Sequence, residues 1–340
     1  MRKNFFALCM LLLLTFVESK ARELKVFQIN VWQETTIVKD GFAHFLNEIV
    51  RLNPDVILLS EVRNYNEVQF VPRLIDSLKV RGLDYNGKTS ATDCGVLTKF
   101  PMLEQDSWIS DEYDSGSVEK VKMDVDGRIV IVYSAHLDYK DNACSLPRGY
   151  DKEWKKMDSP IIDSKLISSI NRDSWRDEAT SYVINDAKKE KGNIIIYAGD
   201  FNEPSYLDWG KDTKDLYDHN GAVIRWDSSW MLHKAGFKDA FREKYPDPVS
   251  NPGFTYPSDN PAVEVKLLDW TPGIDSRDRI DYIYYKKSKK IRLEDITIVG
   301  PSGTIKDSER TPADSDDEFI EPLDVWPTDH KGLLAVFNLK

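Results

Sequence analysis

In the stretch NIIIYAGDFN, a carboxylate and a carboxamide, Asp200 and Asn202, follow an apolar run that ends at Gly199. Residues 194–198 have the length and β-branching of a strand buried on both faces, and Gly199 suits a sharp break. An ionised carboxylate beside so apolar a run is costly to bury unpaired, which points to a wet cavity, a metal or a ligand. A plain turn is the alternative, since Gly, Asp and Asn are common turn residues.

The same arrangement recurs along the chain. Asn30 follows LKVFQI, Glu61 follows DVILLS, and His136 and Asp138 follow residues 129–135 in SAHLD. Asp281 sits in IDYIYY, and Asp329 and His330 stand before the last apolar run, residues 333–337. Asn30 alone is equally explained as a cap or turn, and a single histidine at a strand end is more often structural. Glu61 says more, because a carboxylate straight after a buried strand needs a partner. A hard divalent cation, which prefers oxygen ligands, is one such partner.

The elements that must hold these groups alternate between two periods. Phe42, Phe45, Leu46, Ile49 and Val50 recur at helical spacing, and Asn53-Pro54 stops that helix. Val71, Leu74, Ile75 and Leu78 mark a second helix, and Trp175, Ala179, Tyr182 and Val183 a third. A further short helix is expected at 230–235. Residues 95–98 read as a brief strand, and Val121, Met123 and Val125 alternate into Asp126-Gly127, a hairpin turn signal. Residues 139–172 are polar and loop-like, and long enough for either a functional rim or an ordered insertion. Residues 203–269 are rich in proline and aromatics, and Tyr206, Trp209, Trp226, Trp230, Phe254 and Tyr256 could line a pocket or simply pack on the core. Arg279 is expected to pair with a carboxylate. Strand, helix, strand order with polar residues at strand ends predicts an α/β layered fold.

Composition narrows the setting. Arg2 and Lys3 precede the apolar segment FFALCMLLLLTFV, and Ser19 and Ala21 supply small residues for cleavage, so residues 1–21 read as a signal peptide. That segment is too short to span a bilayer. The expectation is a secreted or periplasmic protein without a transmembrane anchor, residues 22–340 forming one catalytic domain. The net charge of −11 repels a polyanion, which disfavours tight DNA binding through a basic groove without excluding a nuclease. Two cysteines remain after cleavage, Cys94 and Cys144, and they are read as either a disulfide or two buried thiols.

Taken in order, QIN, SEV, SAHLD, GDFN, RIDY and TDHKG resemble the endonuclease/exonuclease/phosphatase superfamily, which includes pancreatic-type deoxyribonucleases, abasic-site endonucleases, neutral sphingomyelinases and inositol polyphosphate phosphatases. The resemblance runs from about Leu24 to Lys340, nearly all of residues 22–340, and GDFN with a C-terminal DH is its specific pairing. It implies a four-layer α/β sandwich, two packed β-sheets flanked by helices, with the active site at one edge of the sheets. It also implies hydrolysis of a phosphate ester by water with Mg2+ or Mn2+.

Carried over position by position, Glu61 is the principal metal ligand with Asn30 beside it, and Asp329 is a second metal ligand. Asp200 orients or deprotonates the attacking water, and Asn202 holds a phosphate oxygen. His136 and His330 donate to the phosphate, Asp281 fixes the tautomer of His330, and Asp93 is the one nearby candidate to partner His136. Ser60 stands where the family often has glutamine. A lesion-recognition signature and a basic phosphate cluster are both missing. The expected activity is a phosphodiesterase acting on a small or lipid-derived substrate. A secreted nuclease and an inactive binding module of the same fold are the alternatives. Subfamily, substrate, number of metals and oligomeric state stay open at this level.

Overall fold

The computed structural model describes residues 21–111 and 115–340. The signal-peptide segment, apart from Ala21, lies outside them. One six-stranded sheet contains β1 (Arg22–Asn30), β2 (Val56–Ser60), β3 (Cys94–Thr98), β10 (Ile291–Val299), β13 (Phe319–Ile320) and β14 (Gly332–Leu339), in the order β13-β10-β14-β1-β2-β3. The other contains β4 (Met102–Ile109), β5 (Gly116–Val125), β6 (Arg128–Leu137), β7 (Ile194–Asp200), β8 (Phe237–Asp239) and β9 (Asp281–Lys286), in the order β4-β5-β6-β7-β9-β8. A small ribbon of β11 (Thr304–Lys306) and β12 (Glu309–Thr311) stands apart. The helices are α1 (Trp32–Thr35), α2 (Gly41–Leu52), α3 (Phe70–Val80), α4 (Ser164–Asn171), α5 (Arg176–Lys189), α6 (Asp227–Lys234) and α7 (Ala240–Lys244).

The layering follows from the period-2 alternation within strands. In β1, Leu24 and Val26 join Val56, Leu58, Val130, Val132, Ile196 and Ile283 in a core between the sheets. Phe27 and Ile29, of opposite parity, face outward onto Phe45 and Ile49 of α2 and Val71 and Leu74 of α3. On the far side, Tyr133, Ile195 and Tyr197 pack under Ala179 and Val183 of α5. The result is the α/β layering that the sequence pattern predicts, in the four-layer sandwich form that the family resemblance implies.

The terminators work as read. Asn53 takes a left-handed conformation after α2 and its N–H bonds Ile49, while Asp126 and Gly127, both with positive φ, turn β5 back as β6. Gly199 has φ +147°, and a Cβ there would meet the Ala135 carbonyl oxygen at 2.0 Å. This close approach is what lets β7 run beside β6 with Asp200 level with His136.

The structure decides or refines three readings of the sequence. The 139–172 stretch is not simply a loop: it holds a 3-10 turn at Ala143–Arg148 and helix α4, capped by the Asp163 carboxylate. Its Leu146 and Ile167 pack with Trp209 and Trp226, so those two tryptophans belong to a satellite core. The 203–269 stretch likewise contains β8 and α7 besides the expected helix. Cys94 and Cys144 are free thiols rather than a disulfide. Cys94 is sealed within β3 against Ser117, whereas Cys144 turns its thiol to the Asn142 carboxamide, 2.8 Å away, so the two point into different surroundings. No helix among the described residues is long and apolar enough to cross a membrane.

Candidate functional site

Strand register gathers the polar ends. His136, Asp200 and Asp281 stand side by side across β6, β7 and β9, and Asn30 pairs with Ser60 across β1 and β2. The two sheets meet at this edge through hydroxyls. Ser60 donates to the Ala135 carbonyl at 2.8 Å and accepts the Asp200 N–H, and Ser134 donates to the Leu59 carbonyl at 3.0 Å. Ser60 therefore fastens one sheet to the other, a role that its sequence position alone could not display.

Asp200 is the hub of the site and is almost fully buried. Its Oδ2 accepts from Asn30 Nδ2 at 2.9 Å and lies 3.8 Å from His136 Nε2 and 3.7 Å from His330 Nε2. Its Oδ1 accepts the Asn202 N–H at 2.8 Å. Burial, with the nearby Asp281 charge, raises the Asp200 carboxyl above its ordinary range, although both imidazoles pull it down.

Each imidazole has its own carboxylate. His136 Nδ1 is 2.5 Å from Asp93 Oδ2, and Asp93 in turn is held by Ser117 and by Arg63. His330 Nδ1 is 2.8 Å from Asp281 Oδ2, while Gln28 donates to Asp281 Oδ1 at 2.8 Å. Burial opposes protonation of both rings, but Asp93 brings His136 up to about 9, and Asp281 and Asp200 raise His330 well above 6.5. The carboxylates thus favour the protonated form of both rings, and each Nε2 is directed at Asp200.

Glu61 and Asp329 line the same cavity. Glu61 takes φ +64°, and its two oxygens accept from Asn30 Nδ2 at 3.1 Å and from the Gln33 N–H at 2.8 Å. That N–H is aimed by α1, whose residues Trp32, Gln33, Glu34 and Thr35 all have positive φ. Strain of this kind is stored where surrounding structure over-determines the backbone, commonly at functional sites. Asp329 is pushed up to about 7 by burial and, further, by the Glu61 and Asp200 charges, against the pull of His330.

This crowding of hard oxygen donors fits a divalent cation, which would relieve the mutual repulsion of Glu61, Asp200 and Asp329. Asp200, Asp281 and His330 also lie within metal-chelating distance of one another. The Nδ1 of His330, however, is already engaged by Asp281, and its Nε2 stands 3.7 Å from Asp200.

The cavity measures about 290 Å³ and includes Glu61, His136, Asp200, Asn202, Asp329 and His330 in its lining, with Asp281 just behind His330. Asn202 also donates to the Leu137 carbonyl at 3.0 Å. Asp138 is not part of the lining and instead accepts the N–H groups of Lys140 and Trp175, anchoring the start of α5. Arg279 pairs with Asp208 and Asp239, as expected of a structural residue. Of the aromatics singled out in the sequence, Tyr256 lines the cavity, against the ring of His330. Gln28, Ser60, Thr328, which donates to the Asn30 carbonyl at 2.8 Å, and Arg63 were not anticipated. Their contacts join residues far apart in sequence and leave no local signal.

Residues 27–330 match the Endonuclease/Exonuclease/phosphatase family. An uncharacterized protein of Caenorhabditis elegans is 29% identical over 272 residues, 79% of this chain and 80% of that one. Among solved structures, D. rerio TDP2 complexed with single-strand DNA product superposes with a TM-score of 0.53 at 15% identity, over 93% of this chain and 99% of that one. An endonuclease/exonuclease/phosphatase family protein from Bacteroides thetaiotaomicron gives 0.51 at 13% identity, over 94% and 99%. At such identities these structures share the fold.

Proposed function

The chain belongs to the endonuclease/exonuclease/phosphatase family, whose members hydrolyse phosphoester bonds, and we propose that it is a divalent-metal-dependent phosphodiesterase. The observation that carries this reading is the convergence of two carboxylate-backed imidazoles on Asp200, at 3.7 and 3.8 Å, in a cavity that also presents Glu61 and Asp329. Such a site is built for an anion next to a cation.

Glu61 and Asp329 would hold Mg2+ or Mn2+, with Asn30 beside them. The metal would neutralise phosphoryl oxygens and favour ionisation of water. His136 and His330 donate from Nε2 to the non-bridging oxygens as charge builds on the phosphoryl group. Asp200, held on Oδ1 by the Asn202 N–H and on Oδ2 by Asn30, orients the attacking water and takes its proton. Asp281 and Asp93 accept from Nδ1 of each imidazole and hold the ring so that Nε2–H faces the cavity.

A small or lipid-derived diester suits the net charge of −11 better than a long polyanion. The nuclease reading draws on a single observation, that a protein of similar fold has been crystallised with a single-strand DNA product. Export after removal of residues 1–21 is part of this proposal. The test is turnover of bis-p-nitrophenyl phosphate, p-nitrophenyl phosphate and DNA, each with Mg2+ and with excess EDTA. Metal-dependent turnover of the diester above the other two is expected. A preference for DNA selects the nuclease, and no turnover of any of them overturns the enzymatic reading.

A further inference from the structure

The cavity lining also includes residues that the phosphoryl chemistry does not use, among them Tyr139, Trp154 and Trp270. The Tyr139 and Trp154 rings are stacked, 13° from parallel with centroids 6.2 Å apart, too close for a third ring between them, so the pair leaves an outer ring face as a shelf. Trp270 meets Trp154 at 67° with centroids 4.8 Å apart and stands as a wall at its end. Trp270 is 52% exposed, and a tryptophan left this open beside a site departs from the usual burial of large apolar rings.

This shelf is held in advance of any ligand. Trp154 has φ +59°, an unfavourable conformation for a bulky residue. The Asp151 carboxylate fixes it by accepting the N–H groups of Glu153 and Lys155 at 2.8 and 2.9 Å, and the Trp154 N–H bonds the Asp151 carbonyl at 3.0 Å. The wall is tied to the shelf through Tyr150, whose hydroxyl donates to the Pro272 carbonyl at 2.5 Å. The guanidinium groups in the lining, Arg148 and Arg63, are paired with Asp278 and Asp93. The lobe therefore offers ring faces rather than a track of charge for a continuing phosphate backbone.

We propose that Tyr139, Trp154 and Trp270 form a subsite for a planar aromatic ring carried on one arm of the phosphodiester, a nucleobase or an aryl group. The inference rests on the phosphodiesterase reading and adds the substituent that the site selects. Ring stacking on aromatic side chains is strong enough to set such a preference and tolerant of which ring is presented. With a volume at the lower end for small-ligand pockets, the cavity suits one ring and one phosphate.

Two measurements with the Mg2+-loaded protein test this. The first compares kcat/KM, read by phosphorus NMR, for four ethyl phosphodiesters whose second arm is thymidine 5′-yl, phenyl, methyl or choline, in wild type, Trp154→Ala, Trp270→Ala and Trp154→Phe. The ratio of the thymidine or phenyl diester to the methyl diester is expected to fall about 10-fold or more in both alanine variants and to be kept by Trp154→Phe. Which of the two arms gains more identifies the source of the ring. The second is calorimetric binding of adenosine 5′-phosphate and ribose 5-phosphate. The nucleotide is expected to bind at least ~10-fold tighter, with the difference lost in the alanine variants.

An unchanged ratio, an equal loss on all four diesters, or a preference for choline that the alanine variants abolish would each overturn the ring subsite while leaving the phosphodiesterase reading intact. If no diester is turned over, that reading fails, and the binding difference alone then decides whether the ring subsite stands.

Discussion

Asp281 Oδ2 lies 2.8 Å from His330 Nδ1, and the opposite nitrogen of the same ring points at Asp200 from 3.7 Å. One imidazole thus links the most deeply buried acid of the site to the residue proposed to handle the water. The link has a direct pH consequence. Burial alone would keep His330 neutral, but Asp281 and Asp200 raise it well above 6.5 and so favour the imidazolium.

Asp281→Asn removes the charge while keeping the shape. The imidazole pKa then drops, and the cationic donor is lost as pH rises through the lowered value. Turnover at pH 7.5 is expected to fall by ~10² or more, and the variant should regain rate between pH 8 and pH 6, where wild type gains none. Superimposable kcat profiles for the two proteins would show that Asp281 serves the fold only.

Glu61→Gln tests the cation site separately. The Gln33 N–H that Glu61 accepts at 2.8 Å can still bond a carboxamide oxygen, so the strained α1 turn keeps a partner and folding should persist. Affinity for Mg2+ and turnover are both expected to fall by at least ~10², read by metal titration beside the thermal midpoint. Full turnover of wild type in excess EDTA would remove the metal assignment.

The parts of this site that were legible in the sequence are those carried by local pattern. A β-branched run followed by Gly199-Asp200 signals a buried strand delivering an acid, and the structure puts Asp200 at that strand's end, level with His136. The family resemblance, not local pattern, makes Asp93 the candidate partner of His136, and it stands just ahead of β3 and 2.5 Å from the ring. What stayed hidden depends on the meeting of two sheets. Gln28 reaches Asp281 across the sandwich, and Ser60 crosses to Ala135, contacts that no spacing within either strand encodes. The shelf at Trp154 was hidden for another reason: a left-handed tryptophan in a polar stretch breaks the propensities from which a sequence is read.

His219 supplies a pH prediction away from the site. It is buried and stacked on Trp209 with ring centroids 3.6 Å apart, and burial together with the nearby Arg148 charge lowers it to about 2. The unfolded chain, near the ordinary histidine value, binds the proton more readily between about 2 and 6.5. Stability from this residue is therefore complete above about pH 6.5 and is lost as pH falls through that window, by up to about 1.4 kcal/mol per pH unit. Urea melts of wild type and His219→Gln from pH 7 to pH 5 should converge as the pH drops. A stability difference that stays constant over that range would mean that His219 does not titrate in this way.

The thiols give the last prediction. Cys94 is fully buried beside Ser117, and burial together with the adjacent Asp93 charge raises its pKa well above the ordinary thiol range. Cys144 faces the cavity, yet burial and then the Asp278 charge bring its thiol up to about 12. Neither sulfur is then a thiolate at neutral pH, and without thiolate both alkylation and disulfide exchange are slow. Mass spectrometry of the non-reduced native protein should find two free thiols and little iodoacetamide adduct after brief exposure at pH 8, with full labelling once urea unfolds the chain. Dithiothreitol should leave the thermal midpoint where it was. A mass two protons lighter, together with a midpoint that falls on reduction, would restore a bridge between β3 and the stretch after His136. It would also require Cys144 to leave the Asn142 carboxamide that it now touches at 2.8 Å.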